Sequence, residues 1–132
     1  MQGRTARCCC GGLRVACKDE AVRVSICHCL ECQKRTGAVF STNARFAKES
    51  VNVSGPSNSY SRKGDSGNDV AFHFCPACGS TVYWTLGGFP EFVAVAVGCF
   101  ADPGFVAPRV SVYEARAHHW VRRPECVTEH HE

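Results

Sequence analysis

Short runs of alternating apolar and polar residues recur along the chain and predict a mostly β fold. Each run has the two-residue period of a half-buried strand, and turn-forming residues separate most of them. The predicted strands cover residues 13–16, 22–26, 39–44, 51–53, 60–62, 70–74, 81–84, 92–97 and 110–113. A helical turn is predicted within residues 45–50, and one short helix within Leu30–Arg35. The pattern therefore indicates several small sheets that lean on one another.

Two hairpins are expected from the order of these strands. Residues 13–16 and 22–26 flank the polar turn Lys18-Asp19-Glu20, so they are interpreted as one hairpin. Residues 70–74 run into Cys75 and residues 81–84 follow Cys78, which places this cysteine pair at the tip of a second hairpin. Gly79 then permits the positive φ that aims backbone N–H groups at sulfur. The segment 63–68 has strong turn chemistry.

The length of 132 residues supports a single domain over residues 1–132, and no apolar stretch reaches the roughly 18 to 20 residues of a membrane span. The unusual feature is 11 cysteines. Their odd number and an N-terminus without an apolar signal segment favour a reducing, cytoplasmic location and metal sites. The alternative is a secreted disulfide scaffold whose signal peptide has been removed.

Seven of the cysteines belong to three tight groups, which is typical of metal sites. The groups are Cys8-Cys9-Cys10-Gly11, Cys27-His28-Cys29-Leu30-Glu31-Cys32 and Cys75-Pro76-Ala77-Cys78-Gly79. The third group is a zinc knuckle, a tight turn that supplies only two thiolates. A structural zinc needs four ligands, so this group requires a partner. Either of the other groups qualifies. The economical solution pairs the first group with the third and leaves the second as a separate three-thiolate site with an open position.

Charge argues against a nucleic-acid partner. The formal net charge is +3 with every cysteine counted as neutral. Metal-bound cysteines are thiolates, so filling a four-thiolate and a three-thiolate site would bring this charge to roughly zero. The sequence also lacks a stripe of basic residues interleaved with aromatic residues.

The three motifs together resemble the glutathione-dependent formaldehyde-activating enzyme family, which includes relatives of centromere protein V. They read Arg7-Cys8-Cys9-Cys10-Gly11, then Cys27-His28-Cys29 with Cys32 and Gly37, then Phe74-Cys75-Pro76-Ala77-Cys78-Gly79-Ser80. The resemblance covers nearly the whole chain. It implies a β-tent fold of small antiparallel sheets stapled by two zinc ions.

The resemblance also implies roles for individual cysteines. Cys8, Cys10, Cys75 and Cys78 match the ligands of a structural zinc. Cys27, Cys29 and Cys32 match the ligands of a catalytic zinc, whose fourth position takes solvent or a substrate thiol. The implied activity is that of a carbon–sulfur lyase on a thiol adduct such as S-hydroxymethylglutathione. A non-catalytic, zinc-stabilised binding module is the alternative.

Several neighbouring side chains have two interpretations. His28 could shuttle a proton or simply pack beside the ligands, and Lys34 and Arg35 could receive substrate carboxylates or be ordinary surface charges. The aromatic residues near the last strands are interpreted as core rather than as pocket walls; they are Trp84, Phe89, Phe92 and Trp120. The scattered thiols are interpreted as small buried or idle side chains; they are Cys17, Cys99 and Cys126.

Overall fold

The fold consists of two β-sheets and one α-helix over the part of the chain that the structure, a computed structural model, describes: residues 3–64 and 66–132. The strands are β1 Arg4–Arg7, β2 Arg14–Cys17, β3 Arg23–Cys27, β4 Ser41–Ala47, β5 Val51–Ser54, β6 Asn58–Lys63, β7 Asp69–Phe74, β8 Thr81–Leu86, β9 Phe92–Ala96, β10 Val110–Val112 and β11 Glu129–His130. Helix α1 spans Leu30–Thr36. Single turns of 3₁₀ helix cover Lys48–Ser50, Val97–Phe100 and Glu114–Arg116.

The strands form a three-stranded sheet, β1-β2-β5, and an eight-stranded sheet, β11-β10-β3-β4-β9-β8-β7-β6. All pairings are antiparallel except those of β10 with β3 and with β11, which are parallel. The fold class expected from the sequence, a mostly β chain of small sheets with one short helix, is confirmed. No helix within residues 3–64 and 66–132 has the length and apolar character to cross a membrane.

The predicted hairpin of residues 13–16 and 22–26 is wrong, because its two strands belong to different sheets. β2 pairs with β1 and β5, whereas β3 pairs with β4 and β10. The Lys18 N–H donates to the Ser50 carbonyl, and the Val22 N–H donates to the Arg45 carbonyl. The polar segment between these residues therefore crosses from one sheet to the other.

The remaining strand predictions are confirmed, with ends that differ by a few residues. The hairpin of β7 and β8 around Cys75 is also confirmed. The expected helical turn is reduced to Lys48–Ser50, because β4 continues to Ala47. The predicted turn at 63–68 closes through the Gly64 N–H, which donates to the Asn68 carbonyl; Asp65 lies outside the described residues.

The eight-stranded sheet packs one face on the main core and turns its other face to a second cluster of side chains. In β9 the residues alternate: Val93 and Val95 belong to the main core, and Ala94 packs with Phe72 and Trp84 on the opposite face. The three-stranded sheet contributes apolar residues such as Val15 to the main core. Because the first face is buried in the main core, the second face is the one on which a site can form.

Candidate metal centres and the adjoining cavity

The loop after β1 presents the first two cysteine sulfurs through a tight turn. The Gly11 N–H donates to the Cys8 carbonyl, and Gly11 has a φ of 82°. The Leu13 N–H donates to Cys8 Sγ over 3.2 Å. A backbone donor of this kind favours the thiolate form, and it lowers the pKa of Cys8.

The β7–β8 hairpin presents the other two sulfurs in the manner of a zinc knuckle. The Gly79 N–H donates to the Cys75 carbonyl over 2.8 Å, and Gly79 has the positive φ, 80°, that the sequence predicted. Hydrogen bonds from the Ser80 side chain and backbone lower the pKa of Cys78 to about 5. The Cys9 N–H donates to Ser80 Oγ, which ties the two loops together.

These two loops bring four sulfurs to one point, which we call the four-cysteine cluster: Cys8, Cys10, Cys75 and Cys78. The sulfur atoms lie within 4.8 Å of one another, with 3.6 Å between Cys8 and Cys10 and 3.5 Å between Cys10 and Cys75. Four thiols converging in this way fit the donor set of a tetrahedral zinc site. The cluster could therefore hold a metal ion.

A second group of sulfurs, the three-cysteine cluster, forms where β3 meets helix α1: Cys27, Cys29 and Cys32. Cys27 ends β3, Cys29 is the N-cap of α1, and Cys32 lies in its first turns. Cys29 Sγ accepts the Cys32 N–H over 3.3 Å, and the Cys27 and Cys32 sulfurs are 3.5 Å apart. All three side chains are buried, and their sulfurs also lie within 4.8 Å of one another.

Because these thiols lie close together, the pKa of one is lowered and the pKa of another is raised. Hydrogen bonds from Cys27 and Cys29 lower the pKa of Cys32, and the nearby Arg35 guanidinium adds to this effect. The pKa of Cys27 is raised by its contacts with Cys29 and Cys32 and by burial. The cluster thus concentrates negative charge at Cys32 in a site whose donors suit a thiophilic metal.

The three-cysteine cluster lies at one end of a cavity of about 300 Å³. The cavity walls include apolar side chains from β7, β8 and β9, and basic side chains from β3, β4 and β6. On these strands the apolar wall residues are Val70, Phe72, Trp84, Leu86 and Ala94; Phe89 of the β8–β9 turn and Val112 of β10 join them, and the basic residues are Arg23, Arg45 and Arg62. Its size is at the lower limit of small-molecule sites. None of the four-cysteine cluster is among the lining residues.

Residues paired across neighbouring strands form the floor of this cavity. Arg23 pairs with Arg45, Arg45 with Ala94, Ala94 with Trp84 and Trp84 with Phe72. The row therefore passes from two guanidinium groups across a small side chain to two aromatic rings. The small Ala94 side chain keeps the middle of this floor low.

Arg35 of helix α1 closes over the aromatic end of the row. Its guanidinium carbon lies 4.7 Å from the Phe72 ring centroid and 4.5 Å from that of Trp84, within the range of cation–π contacts. Its Nη2 atom is 3.8 Å from Cys32 Sγ. Arg35 is thus held beside the cluster, whereas Lys34 is 71% exposed and pairs with Glu31 on the surface.

His28 is directed away from the cavity. Its side chain is fully buried, and Nε2 lies 3.1 Å from Ser111 Oγ. It borders a different, largely apolar pocket that also contains Phe40 and Thr42. The packing interpretation of His28 fits this position better than a proton shuttle.

Of the other residues singled out by the sequence, some are buried and some are exposed. Trp84 is buried and also lines the cavity, but the core interpretation is wrong for Phe89 and Trp120, which are 46% and 62% exposed. Cys17 is buried, Cys99 is partly buried and Cys126 is exposed. No disulfide joins any of the 11 cysteines, all of which lie within the described residues.

Sequence reasoning singled out Arg35 but missed Tyr113 and the three arginines that line the cavity, Arg23, Arg45 and Arg62. Arg23, Ser25 and Cys27 alternate on one face of β3, so the two-residue period of that strand could have placed Arg23 beside the site. Arg45 could be placed beside the site only from the register of β4 against β3. Tyr113 was expected in the last strand, but it leaves that strand with a φ of 57° and packs against the three-cysteine cluster.

The comparisons with known proteins agree with this architecture. A family model described as "Glutathione-dependent formaldehyde-activating enzyme" matches residues 3–116. A crystal structure of a Rhodobacter sphaeroides protein has 22% sequence identity and a TM-score of 0.56, and the match covers 80% of this chain and 92% of that one. At this identity it supports the fold alone. No curated protein sequence matches the chain.

Proposed function

The chain belongs to the glutathione-dependent formaldehyde-activating enzyme family, and from this premise we propose that it is a zinc-dependent carbon–sulfur lyase. The proposed substrate is a thiol adduct such as S-hydroxymethylglutathione. One observation carries the proposal: of the two cysteine clusters, the one with three sulfurs lines the cavity, and the one with four does not. A metal with an open position is useful only where a substrate can reach it.

We propose that the four-cysteine cluster holds a structural zinc, and that Cys27, Cys29 and Cys32 hold a catalytic one. A zinc ion bound by three thiolates favours the thiolate form of a thiol that reaches it. The cysteine ligands of both clusters stay reduced in a cytoplasm, which is the compartment we propose for this activity.

The chemistry is the reversible addition of a thiol to formaldehyde. In the forward direction the substrate sulfur forms a bond to the aldehyde carbon, the carbon–oxygen double bond becomes a single bond, and the thiol proton ends on the new hydroxyl. In the lyase direction the carbon–sulfur bond breaks and the hydroxyl proton returns to sulfur. No oxidant or further reactant is needed.

The chain's own residues would prepare the cavity for this reaction. Phe72, Trp84 and Ala94 form an apolar floor that limits water beside the cysteines. Arg35 places a positive charge 3.8 Å from Cys32 Sγ, where thiolate charge gathers. Tyr113 packs against the same cluster and lines the cavity, so it borders the position of a substrate thiol.

Exchange spectroscopy would test the proposal directly. Glutathione and ¹³C-formaldehyde form S-hydroxymethylglutathione spontaneously, so two-dimensional exchange NMR can measure how far the zinc-loaded protein accelerates the interconversion. We expect acceleration by the wild type and by Cys126→Ser, which removes an exposed thiol outside both clusters. In Cys32→Ser the rate should fall to that of the protein-free solution.

The control separates this activity from a non-catalytic module. Metal analysis of the same samples should give two zinc ions per chain in the wild type and one in Cys32→Ser. A wild type that carries two zinc ions but leaves the exchange rate unchanged would contradict the lyase proposal and favour a zinc-stabilised binding module.

A further inference from the structure

Two arginines stand directly opposite each other at the end of the cavity that is remote from the cysteines. Arg23 of β3 and Arg45 of β4 are register partners in an antiparallel pair, and both line the cavity. Like charges placed opposite each other across two strands destabilise a sheet. An anion bound between the two guanidinium groups would relieve this repulsion.

Neither arginine is neutralised by a carboxylate within the described residues. No ion pair involves Arg23 or Arg45, and no acidic side chain is found among the cavity-lining residues described by the structure. The closest acidic influences come from Glu91 on Arg45 and from Glu129, whose pKa is lowered in part by Arg23. The pair thus presents two positive charges to the cavity.

Aromatic rings hold Arg45 in place, and Arg23 has a nitrogen without a hydrogen-bond partner. The Arg45 guanidinium carbon lies 4.8 Å from the Phe89 ring centroid and 5.3 Å from that of Phe92. Burial, and then the charge of Arg23, lower the pKa of Arg45. The Nε of Arg23 is buried and has no hydrogen-bond partner. An anion that enters the cavity would accept from the guanidinium groups of the two arginines that line it.

The distance from this pair to the cysteines sets the length of the ligand. Arg23, Ser25 and Cys27 lie on one face of β3, so the Cα atoms of the two ends are separated by four strand steps, about 13 Å. Between them, Ser25 donates a hydrogen bond to Asn43 Oδ1 across the same two strands. The side of the cavity formed by β3 and β4 therefore carries polar side chains between the sulfurs and the guanidinium groups.

We propose that Arg23 and Arg45 form an anion subsite that binds the distal carboxylate of an extended thiol peptide whose sulfur reaches the three-cysteine cluster. The inference rests on the proposed function for the thiol end only. The sulfur of a thiol tripeptide lies on its central residue, so about 7–10 Å of extended chain separates it from a terminal carboxylate, and a long, flexible arginine side chain can span the rest of the gap. A short thiol such as mercaptoethanol cannot contact both ends.

A thioether ligand isolates this subsite from metal chemistry. S-methylglutathione keeps both carboxylates but has no thiol, so calorimetric binding of this probe reports the anion subsite. We expect Arg23→Gln and Arg45→Gln to raise its Kd about tenfold or more, because each removes a charge-assisted contact. Arg23→Lys and Arg45→Lys, which keep the charge, should lose less. Arg122→Gln changes an exposed arginine that does not line the cavity and should bind as the wild type does.

The diethyl ester of S-methylglutathione completes the test. The ester should bind the wild type weakly, and its Kd should be unchanged in Arg23→Gln. Thermal melting checks the fold of each variant, and Arg23→Gln should melt at the same or a higher temperature because it relieves like-charge repulsion. Equal binding of the diacid to the wild type, Arg23→Gln and Arg45→Gln would overturn the proposal, as would a wild type that fails to bind it at millimolar concentration.

The binding experiment and the exchange experiment that tests the proposed function have independent outcomes. Catalysed exchange together with arginine-independent binding of S-methylglutathione would leave the lyase proposal standing and remove the subsite. Arginine-dependent binding without catalysed exchange would do the reverse.

Discussion

Gly55 is the residue that allows the end of β5 to lie against the loop of the four-cysteine cluster. Its φ is 94°, and a Cβ built on it would lie 1.8 Å from the Gly12 carbonyl oxygen. Gly12 follows Cys10 by two residues, so the contact supports the loop that presents that sulfur. Both the backbone angle and the close approach require glycine at this position.

Gly55→Ala is therefore expected to destabilise the protein by more than the cost of placing alanine at a positive φ. Gly67 is the matched control, since its φ is 91° but no atom lies within 4 Å of its added Cβ. We expect Gly67→Ala to lower the free energy of unfolding by about 1–2 kcal/mol, and Gly55→Ala to lower it clearly more, because backbone atoms must move. Guanidinium unfolding of the zinc-loaded proteins measures both. Equal losses would show that the contact with Gly12 is not tight.

At the level of elements, local pattern predicted the strands but not their partners. The period of residues 13–16 and 22–26 was sufficient to identify β2 and β3. It could not show that β2 pairs with β1, a four-residue strand containing two arginines, or with the distant β5. Pairing depends on which faces become buried together, and that is a property of the whole chain.

The same limit applies to the candidate site. Cysteines in one motif are close in space because the motif is short, so the three-cysteine cluster was visible in the sequence. Arg45 is 22 positions after Arg23, and only the register of β3 against β4 brings them together. The aromatic rings of Phe72 and Trp84 join them through three further strands, β9, β8 and β7.

Glu114, in the 3₁₀ turn after β10, is bound by side chains of the C-terminal segment. Its carboxylate is 9% exposed, accepts a hydrogen bond from His130 Nδ1 over 2.7 Å and lies 3.5 Å from Arg123 Nε. Burial by itself would raise the pKa of Glu114, but hydrogen bonds from Ser111 and His130, with the charges of His130 and Arg123, outweigh it. The pKa is consequently lowered from its ordinary value of 4.5.

Glu114→Gln should destabilise the protein by about 1–3 kcal/mol at neutral pH, because hydrogen bonds to a charged acceptor are lost. A carboxylate with a lowered folded-state pKa stabilises the fold above its unfolded pKa and loses that effect as the pH falls. The difference in unfolding free energy between wild type and Glu114→Gln should thus be full above pH 5 and shrink below about 4.5. Loss of thiolate ligands at low pH affects both proteins and cancels. A difference that stays constant from pH 7 to pH 3 would contradict this role.

In the whole molecule, the two cysteine clusters connect different parts of the fold. The four-cysteine cluster joins the loop after β1, in the three-stranded sheet, to the β7–β8 hairpin of the eight-stranded sheet. Its Cys10 and Cys75 are separated by 65 positions, whereas Cys27 and Cys32 are separated by 5. A cross-link over the longer loop removes more entropy from the unfolded chain, about 4 kcal/mol against about 2 by the loop-closure relation used for disulfides.

Loss of a ligand from each cluster should consequently have unequal effects on stability. Cys78→Ser is expected to lower the melting temperature far more than Cys32→Ser, because the former removes a cross-link between the two sheets and the latter loosens only the start of helix α1. Differential scanning calorimetry of zinc-loaded proteins, with Cys126→Ser as the exposed-cysteine control, measures the difference. If Cys32→Ser melts as low as Cys78→Ser, the three-cysteine cluster is needed to maintain the fold. It would then not be free to exchange a ligand with substrate.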